Sequence, residues 1–381
     1  MSETLYTVQT LVVGVVFLLL LRRSSVILQM QVTVWVIGVI ALVHRFGPTE
    51  QLNFYSNDQR YYVNIVNDLN LWNVALDVDW WISYAKIPYT LPAAIITWLG
   101  LDSGLALKTI SLICLLLVTQ LVLSEIRQAT LRHALMTVFF TACGGIGILY
   151  SILALRETMM MLLVTYFCVS RSPTVRITSL FLLLLLRPHL AAALAVAALV
   201  VFVWEIMRHR RESTHSVVGL LAVGVLGGEL LFAAGLRWQS GLQWSVAQNW
   251  GINSFTRIFS NLVGLQFLAA RSESVELSIS SLLLLRVLFS ETILIPVLFA
   301  TAVLLRPERV TTQARLILVT LCLYVSLASN TDFNSFRQNI PLMVVMGIVL
   351  VGIWFPRTEV TLSTHPLITK QKTFSTGETS N

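Results

Sequence analysis

Long uncharged apolar runs recur along this sequence, and their length limits the folds open to it. Val26 to Val43, Ala134 to Leu155 and Leu190 to Trp204 carry no charged residue. Each approaches the ~20 residues that cross a bilayer's hydrocarbon as a helix. Only 12% of residues are charged, against about 25% in soluble domains. Barrel strands would alternate polar and apolar residues, whereas these runs are apolar throughout. The fold class read from this is all-α: a polytopic transmembrane helical bundle.

About 11 spanning helices are predicted, near 8–21, 26–43, 104–123, 134–153, 157–170, 176–187, 190–206, 216–235, 290–305, 314–329 and 338–355. Together they make residues 1–355 a transmembrane domain, with 356–381 as a disordered cytoplasmic tail rich in Thr, Ser and Lys. The first run has neither a basic leader nor a small-residue cleavage site, so it reads as a retained helix. Cys114, Cys143, Cys168 and Cys322 all fall inside apolar runs, which favours core packing over disulfides or metal clusters.

Charge placement sets the orientation. Arg22-Arg23, Arg127/Arg132, Arg171/Arg176, Arg208 to Arg211, Arg306/Arg309/Arg315 and the tail with Arg357, Lys370 and Lys372 share one side of this map. That side holds 15 Lys/Arg against 6 Asp/Glu, and the rest of the chain 11 against 13. By the positive-inside rule the N-terminus is external and the C-terminus cytoplasmic, as in a bacterial inner or plasma membrane protein. The net charge of +7 thus reflects topology, and nucleic acid is not implied.

Two large external segments result, 44–103 and 236–290. Within the first, Ile87 to Leu101 is apolar but short and holds two prolines; crossing the bilayer would put every later basic loop on the wrong side. It reads as an interfacial or re-entrant helix, with Trp80, Trp81 and Trp98 at headgroup depth. The second segment carries Trp238, Trp244 and Trp250, and its apolar stretches also read as interfacial.

Ionisable residues then converge on the external face. Arg156 and Glu157 follow one apolar run, and Arg187 and His189 sit in F-L-L-L-L-L-R-P-H-L (Phe181–Leu190). Arg337 and Gln338 lie in the Asn330–Pro341 turn beside Asp332, and Asp58 in N-D-Q-R-Y-Y with Arg60 and Tyr62. A charge at a membrane helix end calls for a partner or a wet cavity, although long basic side chains also snorkel. Asp58 suits a general base or divalent-cation ligand, with Tyr62 one turn on; the alternative is an N-cap for a helix from Gln59 to Leu69. Asp77 and Asp79 in D-V-D-W-W are the alternative working pair to Asp58, beside tryptophans that suit a membrane-surface loop. Arg156, Arg187 and Arg337 together suit a phosphate or diphosphate clamp, because guanidinium forks match phosphate oxygens. Glu157 reads as a structural partner of an arginine. His189 reads as a proton donor, a phosphate ligand or a turn residue, and Arg237 and Arg257 are further external basic residues. Walker, Rossmann, H-E-x-x-H and G-x-S-x-G sequences are missing, which sets aside the chemistries they carry.

Taken together, D-Q-R-Y-Y (Asp58–Tyr62), I-P-Y-T-L-P (Ile87–Pro92), L-R-E (Leu155–Glu157), L-L-R-P-H (Leu185–His189) and F-R-Q-N-I-P (Phe336–Pro341) resemble GT-C-type membrane glycosyltransferases. L-R-E and L-R-P-H are also similar to the arginine-bearing external loops of Wzy- and EpsG-type polysaccharide polymerases. The resemblance implies a GT-C-like fold, a polyprenyl-phosphate-linked sugar donor, a glycan or glycolipid acceptor, and membrane lipids as surroundings. It implies Asp58 as base or metal ligand and the arginines as lipid-phosphate ligands. The expected activity is sugar transfer at the extracytoplasmic face in cell-surface polysaccharide synthesis. Repeat-unit polymerisation, and transport of lipid-linked glycans with Glu229 as an intramembrane acid, are the alternatives.

Overall fold

The structure, a computed structural model, describes residues 2–47, 56–69, 86–126, 130–207, 219, 222–224, 226–227, 294–329 and 339–354. Helix prevails throughout them: α1 (Glu3–Leu20), α2 (Val26–Phe46), α3 (Ser56–Asp68), α4 (Ile87–Trp98), α5 (Ser103–Ile126), α6 (Leu131–Phe140), α7 (Gly145–Ile152), α8 (Glu157–Val169), α9 (Pro173–Leu186), α10 (Pro188–Met207), α11 (Leu294–Leu305), α12 (Thr312–Ser329) and α13 (Ile340–Trp354). A 3-10 turn at Pro307–Arg309 joins α11 to α12.

Among the described residues, four helices are long and apolar enough to cross a membrane: Glu3–Leu20, Val26–Phe46, Ser103–Glu125 and Pro188–Ile206. The bent pair α6–α7 makes a fifth if it is one span. This is a membrane protein. Its outward surface agrees: Val12, Val15, Leu19 and Leu20 of α1 and Leu199, Phe202 and Ile206 of α10 are all exposed. So much apolar surface suits lipid, not water.

Helical periodicity decides which residues turn inward. On α2, Leu28, Val32, Trp35, Val39 and Val43 are buried three or four apart and pack with Tyr6, Leu105, Leu112 and Ile152 into a small core. On α10, Leu190, Leu194, Ala197 and Val201 face the main core, which α5, α8, α12 and α13 share. On α3, Tyr62, Ile65, Val66 and Leu69 form one apolar stripe on an otherwise polar helix. All four cysteines are buried thiols in this packing.

Two sequence expectations change. The helix expected over 134–153 is two, bent by 63° at 141–144. Ala142 turns the chain there with φ 56°, and the buried Gln31 amide donates to Cys143 O at 2.8 Å and Thr119 Oγ1 at 2.9 Å. That bond satisfies a carbonyl the break releases. A Cβ on Gly347 would collide with the backbone at Phe140 and Thr141, so α13 packs against the break only through glycine. Second, α3 begins at Ser56, which puts Asp58 inside its first turn and not at the N-cap. α8 and α9 keep close to their expected bounds, 157–170 and 176–187: at 13 and 14 residues each rises roughly 20 Å, short of a ~30 Å hydrocarbon core. The span expected over 216–235, the second external segment and the tail lie outside the described residues, apart from a few positions in 219–227.

Candidate functional site

The short helices α8 and α9 matter because of where they stop. α7 ends at Ile152, Ala154 reverses the chain with φ 55°, and α8 starts at Glu157. The carbonyls of this turn are held by α5 and the turn itself. Lys108, buried within what reads as an apolar span, donates from Nζ to Ile152 O at 2.6 Å. Ser111 Oγ and Thr158 Oγ1 each donate to Leu155 O at 3.4 Å. An ammonium against the last carbonyls of α7 also complements the negative end of the helix dipole. Ser111 lies eight residues into α5, about 12 Å along its axis. Leu155 and Arg156 are therefore recessed well below the first residue of α5.

Arg156 caps α8 without a side-chain hydrogen bond to it. Its Nη1 donates to Leu186 O, the end of α9, at 3.0 Å, while its buried Nε has no hydrogen-bond partner among the described residues. Arg187 is the next residue after α9. Its backbone N–H closes α9 on Leu183 O, and its carbonyl accepts from Leu190 N and Ala191 N to open α10. Its guanidinium lies 5.8 Å from the ring centroid of buried Tyr324 on α12, a cation–π contact. His189 follows on the first turn of α10, exposed, within electrostatic reach of Arg187 and Lys86.

Lys86 is the residue the sequence reading missed. It precedes α4, which runs antiparallel along the first turns of α5: Tyr89 Oη lies 2.9 Å from Ser111 Oγ, and Gln9 donates to Gly100 O at the far end. That course puts the start of α4 at the recessed level of Arg156. Lys86 has φ 49°, a left-handed conformation costing a non-glycine residue roughly 1–2 kcal/mol. Partial burial first, and then the Arg156 and Arg187 guanidinium groups, lower its ammonium pKa to about 8. Its one sequence signal is that it is the only basic residue between Arg60 and Lys108.

Beside these cations, Glu157 is fully buried on the first turn of α8 and acts electrostatically on Tyr89. The Tyr62 and Tyr89 rings pack edge to face at 5.4 Å. The structure therefore brings together Arg156, Glu157, Arg187 and His189, adds Lys86 and Tyr324, and reaches Tyr62 through Tyr89. Arg60 is exposed on α3. Asp58 is placed by its backbone alone, one turn before Tyr62; Asp77, Asp79, Glu229, Arg237, Arg257, Arg337 and Gln338 lie outside the described residues.

Chemically, three cations held close together and partly out of water repel one another and gain from a bound anion. The same cluster would repel a divalent cation, and among the described residues no three His, Cys, Asp or Glu side chains gather to hold one. In the comparisons with known proteins, the chain matches no family model, no curated protein and no solved structure.

Proposed function

We propose that this chain is a membrane glycosyltransferase of GT-C-like architecture, with about 11 spans, an external N-terminus and a cytoplasmic C-terminus. It moves a sugar from a polyprenyl-phosphate-linked donor to a glycan or lipid-linked acceptor at the extracytoplasmic face. One observation carries this reading: Lys86, Arg156 and Arg187, from separate parts of the chain, crowd together where short apolar helices end. A lipid phosphate reaches such a site from the bilayer and supplies the missing negative charge.

In the reaction the acceptor hydroxyl oxygen attacks the anomeric carbon and its proton passes to the Asp58 carboxylate. The bond from the anomeric carbon to the phosphate oxygen breaks, and its electron pair stays on the phosphate. Arg156, Arg187 and Lys86 stabilise that growing charge, with Arg337 and Gln338 as further phosphate ligands, His189 beside them, and Arg60, Tyr62 and Glu157 shaping the acceptor side.

The test is transfer from a panel of labelled polyprenyl-phosphate sugars by purified protein in lipid nanodiscs. Arg187→Ala is expected to lower transfer about 100-fold or more, the usual effect of losing one oxyanion donor. Full activity in Arg187→Ala would remove the phosphate clamp. Asp58→Asn is expected to abolish transfer with folding intact. A second reading, a polymerase joining lipid-diphosphate repeat units, is favoured by the predominance of arginine and lysine in the described cluster. Arg187→Ala shortening the polymer while Asp58→Asn leaves it unchanged would select that reading.

A further inference from the structure

No motif in the sequence marks Lys86, yet the fold holds it in one place. Its backbone is in the left-handed region, its side chain is half-buried, and its electrostatic neighbours are Arg156 and Arg187. From α8 it meets Arg156, with Glu157 next along; from α9 it meets Arg187, and from α10 His189. On α5, Lys108 is engaged with Ile152 O and Glu125 lies at the far end of the helix, while Asp102, just before α5, accepts from the N–H groups of Gly104 and Leu105. α3 approaches α4 through Tyr62, and Arg60 is exposed. Lys86 is thus a third cation beside Arg156 and Arg187, at a site partly out of water.

That charge discriminates between two states of a lipid phosphate. A sugar-loaded phosphate is a diester with one negative charge; once the sugar has left it is a monoester, which carries about two charges above its second pKa of ~6. Attraction scales with the product of the charges, so a third cation adds more for the dianion than for the monoanion. We propose that Lys86 makes the site select a phosphate monoester dianion over a phosphodiester, so that its grip on the lipid phosphate tightens as the sugar departs. This rests on the sugar-transfer reading and assigns that site's charge selectivity to one residue. Arg156 Nε, buried and lacking a hydrogen-bond partner among the described residues, is a donor available to the added charge. The selectivity depends on pH. Lys86 keeps its proton below about 8, where its ammonium pKa lies, and loses it above, so discrimination is greatest between roughly pH 6 and 8.

Competition binding to the full-length protein in nanodiscs tests this, with polyprenyl monophosphate and its methyl phosphodiester as probes at pH 7 and pH 9. Wild type is expected to favour the monoester about tenfold at pH 7, as for one charge-assisted hydrogen bond, and less at pH 9. Lys86→Met is expected to bind both lipids alike at both pH values, and Lys86→Arg to keep the preference at pH 9. Inorganic phosphate at matched concentration is expected to displace neither lipid. A preference that survives in Lys86→Met overturns the proposal, as does equal displacement by inorganic phosphate. Wild type binding both lipids equally overturns the role of Lys86 and leaves the transferase reading standing; wild type binding neither overturns both.

Discussion

The two ends of the helix bundle treat their basic residues in opposite ways. Where α10 finishes and α12 begins, Arg315 is buried and donates to Glu205 at 2.8 Å and to Val310 O at 3.2 Å. Close by in the chain, Arg309 donates to Ile353 O at the end of α13, and Gln313 donates to Cys168 O at the end of α8. Each of these side chains meets a carboxylate or a helix C-terminus, so it ties helices together. At the opposite end, Arg156 also caps a helix, but Lys86 sits against two further cations, Arg156 and Arg187. An end built only for stability would look like the first. The second gives up electrostatic stability that a bound anion would restore.

That contrast can be broken by experiment. The largest effect on folding belongs to the satisfied end: Arg315→Met is expected to cost about 1–3 kcal/mol, measured by denaturant or thermal unfolding in detergent, because it strips Glu205 and Val310 O of a donor. Transfer measured on the folded fraction should be unchanged. If Arg315→Met abolished transfer without loss of stability, the division of labour between the ends would be wrong.

A smaller effect, of opposite sign, is expected at the crowded end. Lys86 binds its proton less readily folded than unfolded, so its charge opposes folding below about pH 8. That penalty is relieved as pH rises toward the usual value of 10.5, above which neither state is charged. The empty Lys86→Met protein should therefore melt slightly higher than wild type at pH 7, with the gap closing by pH 10. An advantage that widened as pH rose would contradict the like-charge account.

How much of this was legible in the sequence depends on the range of the interaction concerned. α2, α5 and α10 were readable because lipid selects for apolar residues one at a time, and a run of them needs no knowledge of its neighbours. Arg156 and Arg187 were readable for a related reason, since each interrupts such a run at a helix end. The break between α6 and α7 was not, because T-A-C-G holds no proline or charge. Its stability comes from Gln31, more than a hundred residues earlier, and from close approach by Gly347. Lys108 was hidden inside a span for the same reason, since its partner, Ile152 O, exists only once α7 has packed on α5.

Local hydrophobicity and the bias of basic residues were thus enough to specify a helical membrane protein and which helix ends carry charge. Packing alone decided how those ends stand to one another: α4 doubling back along α5, and Lys86 arriving beside two arginines seventy and a hundred residues further on. Transfer into lipid is a property of each residue and its near neighbours, so a chain displays it openly. Repulsion between charges depends on distances through space, which exist only after the helices have packed.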